Sequence, residues 1–217
     1  MRVWVVLWLG VCACATPSEE VDPGPEPVDL IALERTLALA VDIAPTVTAD
    51  RVRALYDGAM THASAACPGV YSGFWYDHCD TSDATFSGYA FAYDASEEWQ
   101  VYGVAQVELP DRRVVLSGFA YTAEYWDVRE GTWLYSGVSG TFADPAATDW
   151  TALGMSTTLT HELRLNDRGD VLVVDGGMAG FDGPASAVRF DATVLLGGTC
   201  ADEPEGSVQV RTPDGRW

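Results

Sequence analysis

Lysine is absent from this chain of 217 residues, and its 12 basic residues, all of them arginine, stand against 32 acidic residues. The formal net charge is −20. Proteins that bind nucleic acid or an anionic membrane face carry basic patches, whose charge displaces counterions from phosphate. The sequence lacks such a patch, so we expect no nucleic-acid partner.

The short motifs that identify common enzyme classes are also lacking. The sequence contains no G-x-S-x-G nucleophile turn, no H-E-x-x-H zinc pair, no phosphate-binding loop and no dinucleotide fingerprint. With 48% hydrophobic residues the chain can bury one core, so we expect one folded domain. We expect neither a metal nor a cofactor.

A short apolar run lies at the N-terminus. It extends from Val3 to Ala13 after a single arginine, and it is about half as long as the ~20 residues that a membrane-spanning helix needs. A run of this length is typical of the core of a signal peptide. We therefore expect residues 1–13 to be a signal peptide that directs export.

The run ends in Val11-Cys12-Ala13-Cys14, which resembles the lipobox of bacterial lipoproteins. The resemblance covers only this segment. It implies that Cys14 is acylated, with palmitate among the acyl chains, and becomes the membrane-anchored N-terminus of the mature protein. Alanine after Cys14 implies the outer rather than the inner membrane, with the domain facing the periplasm or the surface. Two alternatives stay open: lipidation of Cys12, and ordinary cleavage at Ala13-Cys14-Ala15 that releases a soluble product.

Residues 14–29 have the composition of a spacer. Four prolines are interspersed with acidic residues, and almost nothing there can pack. Segments of this kind stay extended, at about 3 Å per residue. We expect a flexible tether that carries a single domain of residues 30–217.

The domain begins with helical periodicity and continues with strand periodicity. Apolar spacing predicts two short helices, over residues 30–44 and from about residue 50 to residue 63. Alternation of apolar and polar residues then predicts eight strands, near residues 86–94, 99–109, 113–125, 132–142, 156–165, 170–178, 186–197 and 206–212. Local turns favour antiparallel neighbours. The predicted fold is mainly β, a curled antiparallel sheet or a sandwich of about eight strands with two N-terminal helices.

Glycine occurs inside three of the predicted strands, at Gly88, Gly118 and Gly137. A glycine within a strand is unfavourable unless the backbone bends there or an aromatic ring from a neighbouring strand covers it. We expect the sheet to bend at these glycines.

Three cysteines follow Cys14. In an oxidising compartment Cys67 and Cys79 are the expected disulfide, and closing a loop of about a dozen residues stabilises a fold by roughly 3 kcal/mol. For Cys200 three alternatives stay open: a buried thiol, a partner for one of the other two, or an intermolecular bridge.

Three histidines are candidate bases. His62 is expected at the surface or at a helix cap. His161 lies on the apolar face of its strand, where a hydrogen-bonded core role is favoured over a catalytic one. His78 lies among acidic residues, and ordinary solvated carboxylates are favoured there over a cation site. That site would comprise Asp77, His78, Asp80 and Asp83.

Aromatic residues are concentrated in the predicted sheet and in the disulfide loop. They fill strand cores, but they also form platforms for sugars or protein partners. Tyr102 lies on the otherwise polar face of its strand, and Tyr125 and Trp126 come just before a turn. The candidate binding surface comprises these three residues and Trp75.

Together these features favour an exported, membrane-anchored lipoprotein with a non-catalytic envelope or surface domain that binds a protein or glycan partner or has a structural role. The alternative is a hydrolase of the glycosidase type, which needs two carboxylates facing each other on one sheet face. The sequence assigns no catalytic residue.

Overall fold

The computed structural model describes residues 7–8, 29–95, 98–127, 131–165, 169–198, 205–211 and 215–217. Cys14, nearly all of the expected tether and Cys200 lie outside the described residues. Among the helices of the described part, none has the length and apolar character needed to cross a membrane.

Two helices lie at the start of the domain. Helix α1 spans Leu30–Ile43 and α2 spans Ala49–Met60, with a 3₁₀ turn at Ala44–Thr46 between them. Pro45 has no N–H with which to continue the hydrogen-bond ladder of α1, so the chain turns there. Both predicted helices are confirmed.

The remaining described residues form nine strands of six to fifteen residues. The two-residue β1 (Leu7–Trp8), which lies within the expected signal peptide, joins them in one antiparallel sheet. In chain order the strands are β1 (Leu7–Trp8), β2 (Phe74–Asp80), β3 (Thr85–Ala95), β4 (Glu98–Glu108), β5 (Arg113–Asp127), β6 (Gly131–Ala143), β7 (Ser156–Leu165), β8 (Val171–Ala179), β9 (Ala187–Leu196) and β10 (Glu205–Val210). A 3₁₀ turn at Trp150–Leu153 lies between β6 and β7.

The strands follow one another in the sheet as they do in the chain. The spatial order is β1-β10-β9-β8-β7-β6-β5-β4-β3-β2, so β2 to β10 form an unbroken meander. The mainly β prediction is confirmed, and the eight predicted strands correspond to β3–β10. A single open sheet, rather than a sandwich, is the arrangement found among the described strands. β2 was not predicted, because its residues were assigned to the disulfide loop.

One side of the sheet, here called the inner face, is covered by the helices. Helix α2 packs on β4, β5 and β6, and α1 packs on β9 and β10. The largest side chains buried between these layers include Trp75, Phe86, Phe142 and Leu159. Apolar burial of this kind contributes about 25 cal/mol per Å² and is the main stabilising term.

Gly88 and Gly118 fit the predicted role at bends of the sheet. Their φ angles are +96° and +150°, which disfavour any residue with a side chain. A Cβ at Gly118 would also collide with the carbonyl oxygen of Ser139 on β6. Gly137 differs, because it lacks a positive φ and meets an aromatic ring that is described below.

The predicted disulfide between Cys67 and Cys79 is confirmed, with the two Cα atoms 5.9 Å apart. Cys79 lies on β2, and Cys67 lies in the loop that joins α2 to β2. The bond therefore attaches this loop to the edge strand of the sheet.

Two hydrogen bonds attach the connection between the helices to the middle of the sheet. His161 on β7 and Ser136 on β6 are direct cross-strand partners. The imidazole Nε2 of His161 donates to the carbonyl oxygen of Ala44 at 2.7 Å. The hydroxyl oxygen of Ser136 accepts from the N–H of Ala49, the first residue of α2, at 2.9 Å. Both ends of the connection are thus held by neighbouring positions of the sheet.

His161 has the hydrogen-bonded core role that its place on the apolar face predicted. Its side chain is buried, and desolvation lowers its pKa below the ordinary value of 6.5, although bonds to backbone carbonyls act in the opposite direction. The folded protein therefore holds this imidazole neutral.

We expect the stability of the protein to fall as the pH drops through about 6.5, because the unfolded chain then binds a proton at His161 that the folded chain does not. The loss continues until the lower folded pKa is reached. His161→Gln keeps a donor for Ala44 but cannot titrate, so its free energy of unfolding should vary less with pH. Urea unfolding between about pH 8 and pH 5 measures how the free energy of unfolding varies with pH in the parent protein and in the variant.

His78→Gln, which replaces an exposed histidine on β2, is the matched control and should keep the slope of the parent protein. If the free energy of unfolding of His161→Gln varied with pH as steeply as that of the parent protein, a lowered pKa of His161 in the folded protein would be contradicted.

Candidate ligand-binding face

The side of the sheet that faces away from the helices, here called the outer face, carries many aromatic side chains. Successive residues of a strand point to opposite faces, and cross-strand partners share a face. The pairing of β2 to β6 therefore places one set of aromatic residues together on the outer face. These are Phe74, Tyr76, Tyr89, Phe91, Tyr93, Tyr102, Phe119, Tyr121, Tyr125, Trp133 and Tyr135.

A row of aromatic residues, one on each strand, crosses four strands at the centre of this face. Phe74 on β2 pairs with Phe91 on β3, Phe91 pairs with Tyr102 on β4, and Tyr102 pairs with Phe119 on β5. The row continues with hydroxyl side chains, Ser139 on β6 and Thr158 on β7. We call the four aromatic residues the central row.

Neighbouring rings hold the central row in place. The Tyr89 ring lies 6.3 Å from that of Phe74 and 5.7 Å from that of Tyr102, measured between centroids. The hydroxyl oxygens of Tyr89 and Tyr102 are 3.0 Å apart, and this hydrogen bond raises the pKa of Tyr89 above 10.0. The Tyr89 phenol is therefore neutral at physiological pH.

Gly137 makes room for a ring that lies flat on the sheet. A Cβ on Gly137 would collide with three ring carbons of Tyr121, its partner on β5. The Tyr121 ring thus covers the glycine backbone, and it stacks at 5.5 Å from the ring of Phe119. A glycine within a strand was expected either at a bend or under an aromatic ring, and Gly137 is of the second kind.

A pair of charges lies beside the aromatic face on β7. The guanidinium carbon of Arg164 lies 4.2 Å from the centroid of the Trp133 ring, and its Nε donates to Glu162 Oε1 at 2.6 Å. Trp133 also stacks on Tyr135, with centroids 6.2 Å apart. The arginine charge is compensated by the adjacent carboxylate, so this border has little net charge.

The candidate surface expected from the sequence is divided by the structure. Tyr102 and Tyr125 lie on the outer face, and both are exposed. Trp126 is also exposed, but it follows Tyr125 directly and so points to the opposite side of β5. Trp75 is 1% exposed and packs edge-on against Phe86 in the core, which removes it from the binding surface.

Most of the outer aromatic residues were not predicted to form a surface, because aromatic side chains in strands are usually core residues. The signal that could have located them is the small size of their neighbours in the chain. Ala90, Gly103 and Ala120 alternate with Phe91, Tyr102 and Phe119, and the small residues are the ones that face the helices.

The acidic residues around His78 do not come together as a cation site. Asp83 accepts a hydrogen bond from His62 Nδ1 at 2.8 Å, which lowers the pKa of Asp83. Asp77 accepts one from the backbone N–H of His78 at 2.8 Å, while Asp80 bonds to a hydroxyl on β3. The residues that the structure describes contain no group of three or more side chains placed to hold a metal ion.

Two cavities were candidates for the carboxylate pair that a glycosidase requires. A cavity of about 290 Å³ beside α2 is lined by one carboxylate, Asp144, which accepts from Arg112 at 2.9 Å. A cavity of about 190 Å³ beside α1 is lined by Asp182, which accepts from Arg35 at 3.1 Å. Each carboxylate is alone in its cavity and paired with an arginine, so neither cavity has the required geometry.

We expect Gly137→Ala to destabilise the protein by about 1 kcal/mol, because the added methyl group displaces the Tyr121 ring. In a Tyr121→Ala background the methyl group meets no ring, and the same change should be neutral or stabilising. Urea unfolding of the parent, both single variants and the double variant measures this coupling. Strictly additive effects would show that the ring does not cover the glycine.

A comparison of the chain with protein-family models, curated proteins and solved structures finds no match. The function proposed below therefore rests on the residues and their geometry.

Proposed function

We propose that this protein is an exported, lipid-anchored envelope protein whose folded domain is a non-catalytic binding module. The observation that carries the proposal is the aromatic outer face of β2 to β6. Its rings include Tyr76, 77% exposed, and Tyr102, 47% exposed, on the side of the sheet opposite α1 and α2. A contiguous exposed apolar surface of this kind marks an interaction site more often than an accident of composition.

The proposed location outside the cytoplasm is supported by the N-terminal sequence and by the disulfide of the domain. The apolar run and the Val11-Cys12-Ala13-Cys14 segment resemble a lipoprotein signal, and the proline-rich residues 15–29 have the composition of a spacer. The disulfide between Cys67 and Cys79 is typical of proteins that fold in an oxidising compartment. Retention in the outer membrane is the sorting that the alanine after Cys14 favours.

Binding without catalysis is favoured by what surrounds the titratable groups. His161, the buried histidine, is hydrogen-bonded to a backbone carbonyl at the helix connection. His62 is paired with Asp83, and the carboxylates Asp144 and Asp182 are paired with arginine. None of these five groups lies on the aromatic face, where a ligand would bind.

We expect Cys14→Ser to abolish acylation and to move the protein from the membrane fraction to the soluble fraction. Intact-mass measurement of the parent should give an acylated chain that starts at Cys14 and is two hydrogens lighter than the fully reduced form. Cys12→Ser is the matched control and should leave both mass pattern and fractionation unchanged. Loss of acylation in Cys12→Ser alone, or in neither variant, would contradict lipidation at Cys14.

The binding role can be tested with the soluble Cys14→Ser chain and envelopes isolated from the bacterium that produces it. The soluble chain should sediment with the envelopes, and adding Tyr102→Ala should weaken binding about tenfold, because a central ring is lost. Leu153→Ala, which removes an exposed apolar side chain from the 3₁₀ turn outside the outer face, should have no effect. Failure to sediment, or equal sedimentation of all three chains, would contradict the proposal.

A further inference from the structure

We infer that the outer aromatic face binds a neutral polysaccharide, which lies along the central row and so crosses the strands. This inference rests on the proposed function, since it names the ligand of the same face. Four features of the face support it: the chemistry of the rings, their spacing, the hydroxyl groups beside them and the distribution of charge.

The first feature is the chemistry of the rings. A pyranose ring has an apolar C–H surface with hydroxyl groups around its edge, and it stacks on a flat aromatic ring while its hydroxyls remain solvated. The outer face has the complementary surface, since Tyr121 lies flat over Gly137 and Phe119 is stacked at 27° to it. Tyrosine hydroxyls add polar groups at the ring edges. Aliphatic side chains are few on this part of the face, with Val104 the exposed example on β4.

The second feature is spacing. Adjacent strands lie about 4.8 Å apart, so the central row from Phe74 to Phe119 extends roughly 14 Å across the sheet. One aromatic residue per strand is close to one ring per sugar in an extended polysaccharide chain. A row of this kind accepts a short run of sugar units within a longer polymer and does not require a chain end.

The third feature is the continuation of the row. Beyond Phe119 the cross-strand partners are Ser139 and Thr158, and both side chains are exposed. Ser117 and Thr141 are partners in the adjacent row of the same face. A polymer that leaves the rings therefore meets hydroxyl groups that donate and accept hydrogen bonds, which is how polar groups fix the orientation of a sugar.

The fourth feature is charge. The formal net charge of the chain is −20, which disfavours an anionic polymer. The central row and its continuation are uncharged. The charged side chains described on the outer face of β2 to β7 lie at its margins, at Asp80, Glu108, Arg113, Glu162 and Arg164. Arg164, which stacks on Trp133, is neutralised by Glu162.

Affinity electrophoresis in native gels tests the inference with the soluble Cys14→Ser chain. The gels contain hydroxyethylcellulose, arabinoxylan or galactomannan as neutral polymers, or carboxymethylcellulose as an anionic polymer with the same backbone as the first. We expect at least one neutral polymer to retard the protein and carboxymethylcellulose to retard it less than hydroxyethylcellulose does, or not at all. Tyr102→Ala should weaken the retardation about tenfold, whereas Leu153→Ala should migrate like the parent.

Circular dichroism of the variants establishes that each is folded. The inference is overturned if none of the three neutral polymers retards the folded protein, if Tyr102→Ala is retarded as strongly as the parent, or if carboxymethylcellulose retards the protein at least as strongly as hydroxyethylcellulose does. If envelope binding depends on Tyr102 but no neutral polymer retards the protein, the inferred polysaccharide ligand is wrong and the proposed binding function still stands. If the protein neither binds envelopes nor is retarded by a neutral polymer, the proposed binding function and the inferred ligand are both wrong.

Discussion

The attachment of the helix connection to the centre of the sheet decides which side of the sheet meets solvent. His161 and Ser136, paired across β6 and β7, bind the backbone at Ala44 and Ala49. Because both bonds are made from the inner face, α1 and α2 pack there and cover it. The outer face of β2 to β6 is left without a covering helix among the described elements. The aromatic side chains of the outer face therefore belong to the surface of the protein and not to its core.

The distribution of side-chain size over the two faces supports this interpretation. In the middle of β3, β4 and β5 the inner positions include Ala90, Gly103 and Ala120, while the outer positions beside them carry large rings. Small inner residues allow the sheet to bend and the helices to approach closely. Burial would favour the opposite distribution, with rings inside and small or polar residues outside. Large rings on the solvent side forgo the stabilisation that burial would give, and the binding role that we propose accounts for this cost.

Much of the fold could be predicted from the sequence, because the patterns concerned are local. Alternation located β3 to β10 to within a few residues, and apolar spacing located both helices. The role of His161 followed from its position on an apolar face. The outer face could not be predicted in the same way, because it depends on register between strands. Phe74, Phe91 and Phe119 are far apart in the chain and become neighbours only through pairing. Trp75 was assigned to the surface because β2 was not recognised as a strand.

The electrostatic repulsion of this acidic chain and the stacking of its aromatic rings act over different ranges, so the charge is compatible with the binding face that we propose. The net charge of −20 acts over about 10 Å at moderate salt and disfavours the approach of anionic molecules. Stacking acts only at contact, and in the binding mode that we propose this contact is made at the uncharged central row around Tyr102. Salt shortens the range of the repulsion but does not weaken stacking. In the function that we propose, selection against anions and attachment to neutral ligands are therefore separate properties, the first set by the whole chain and the second by a few rings held in register by the sheet.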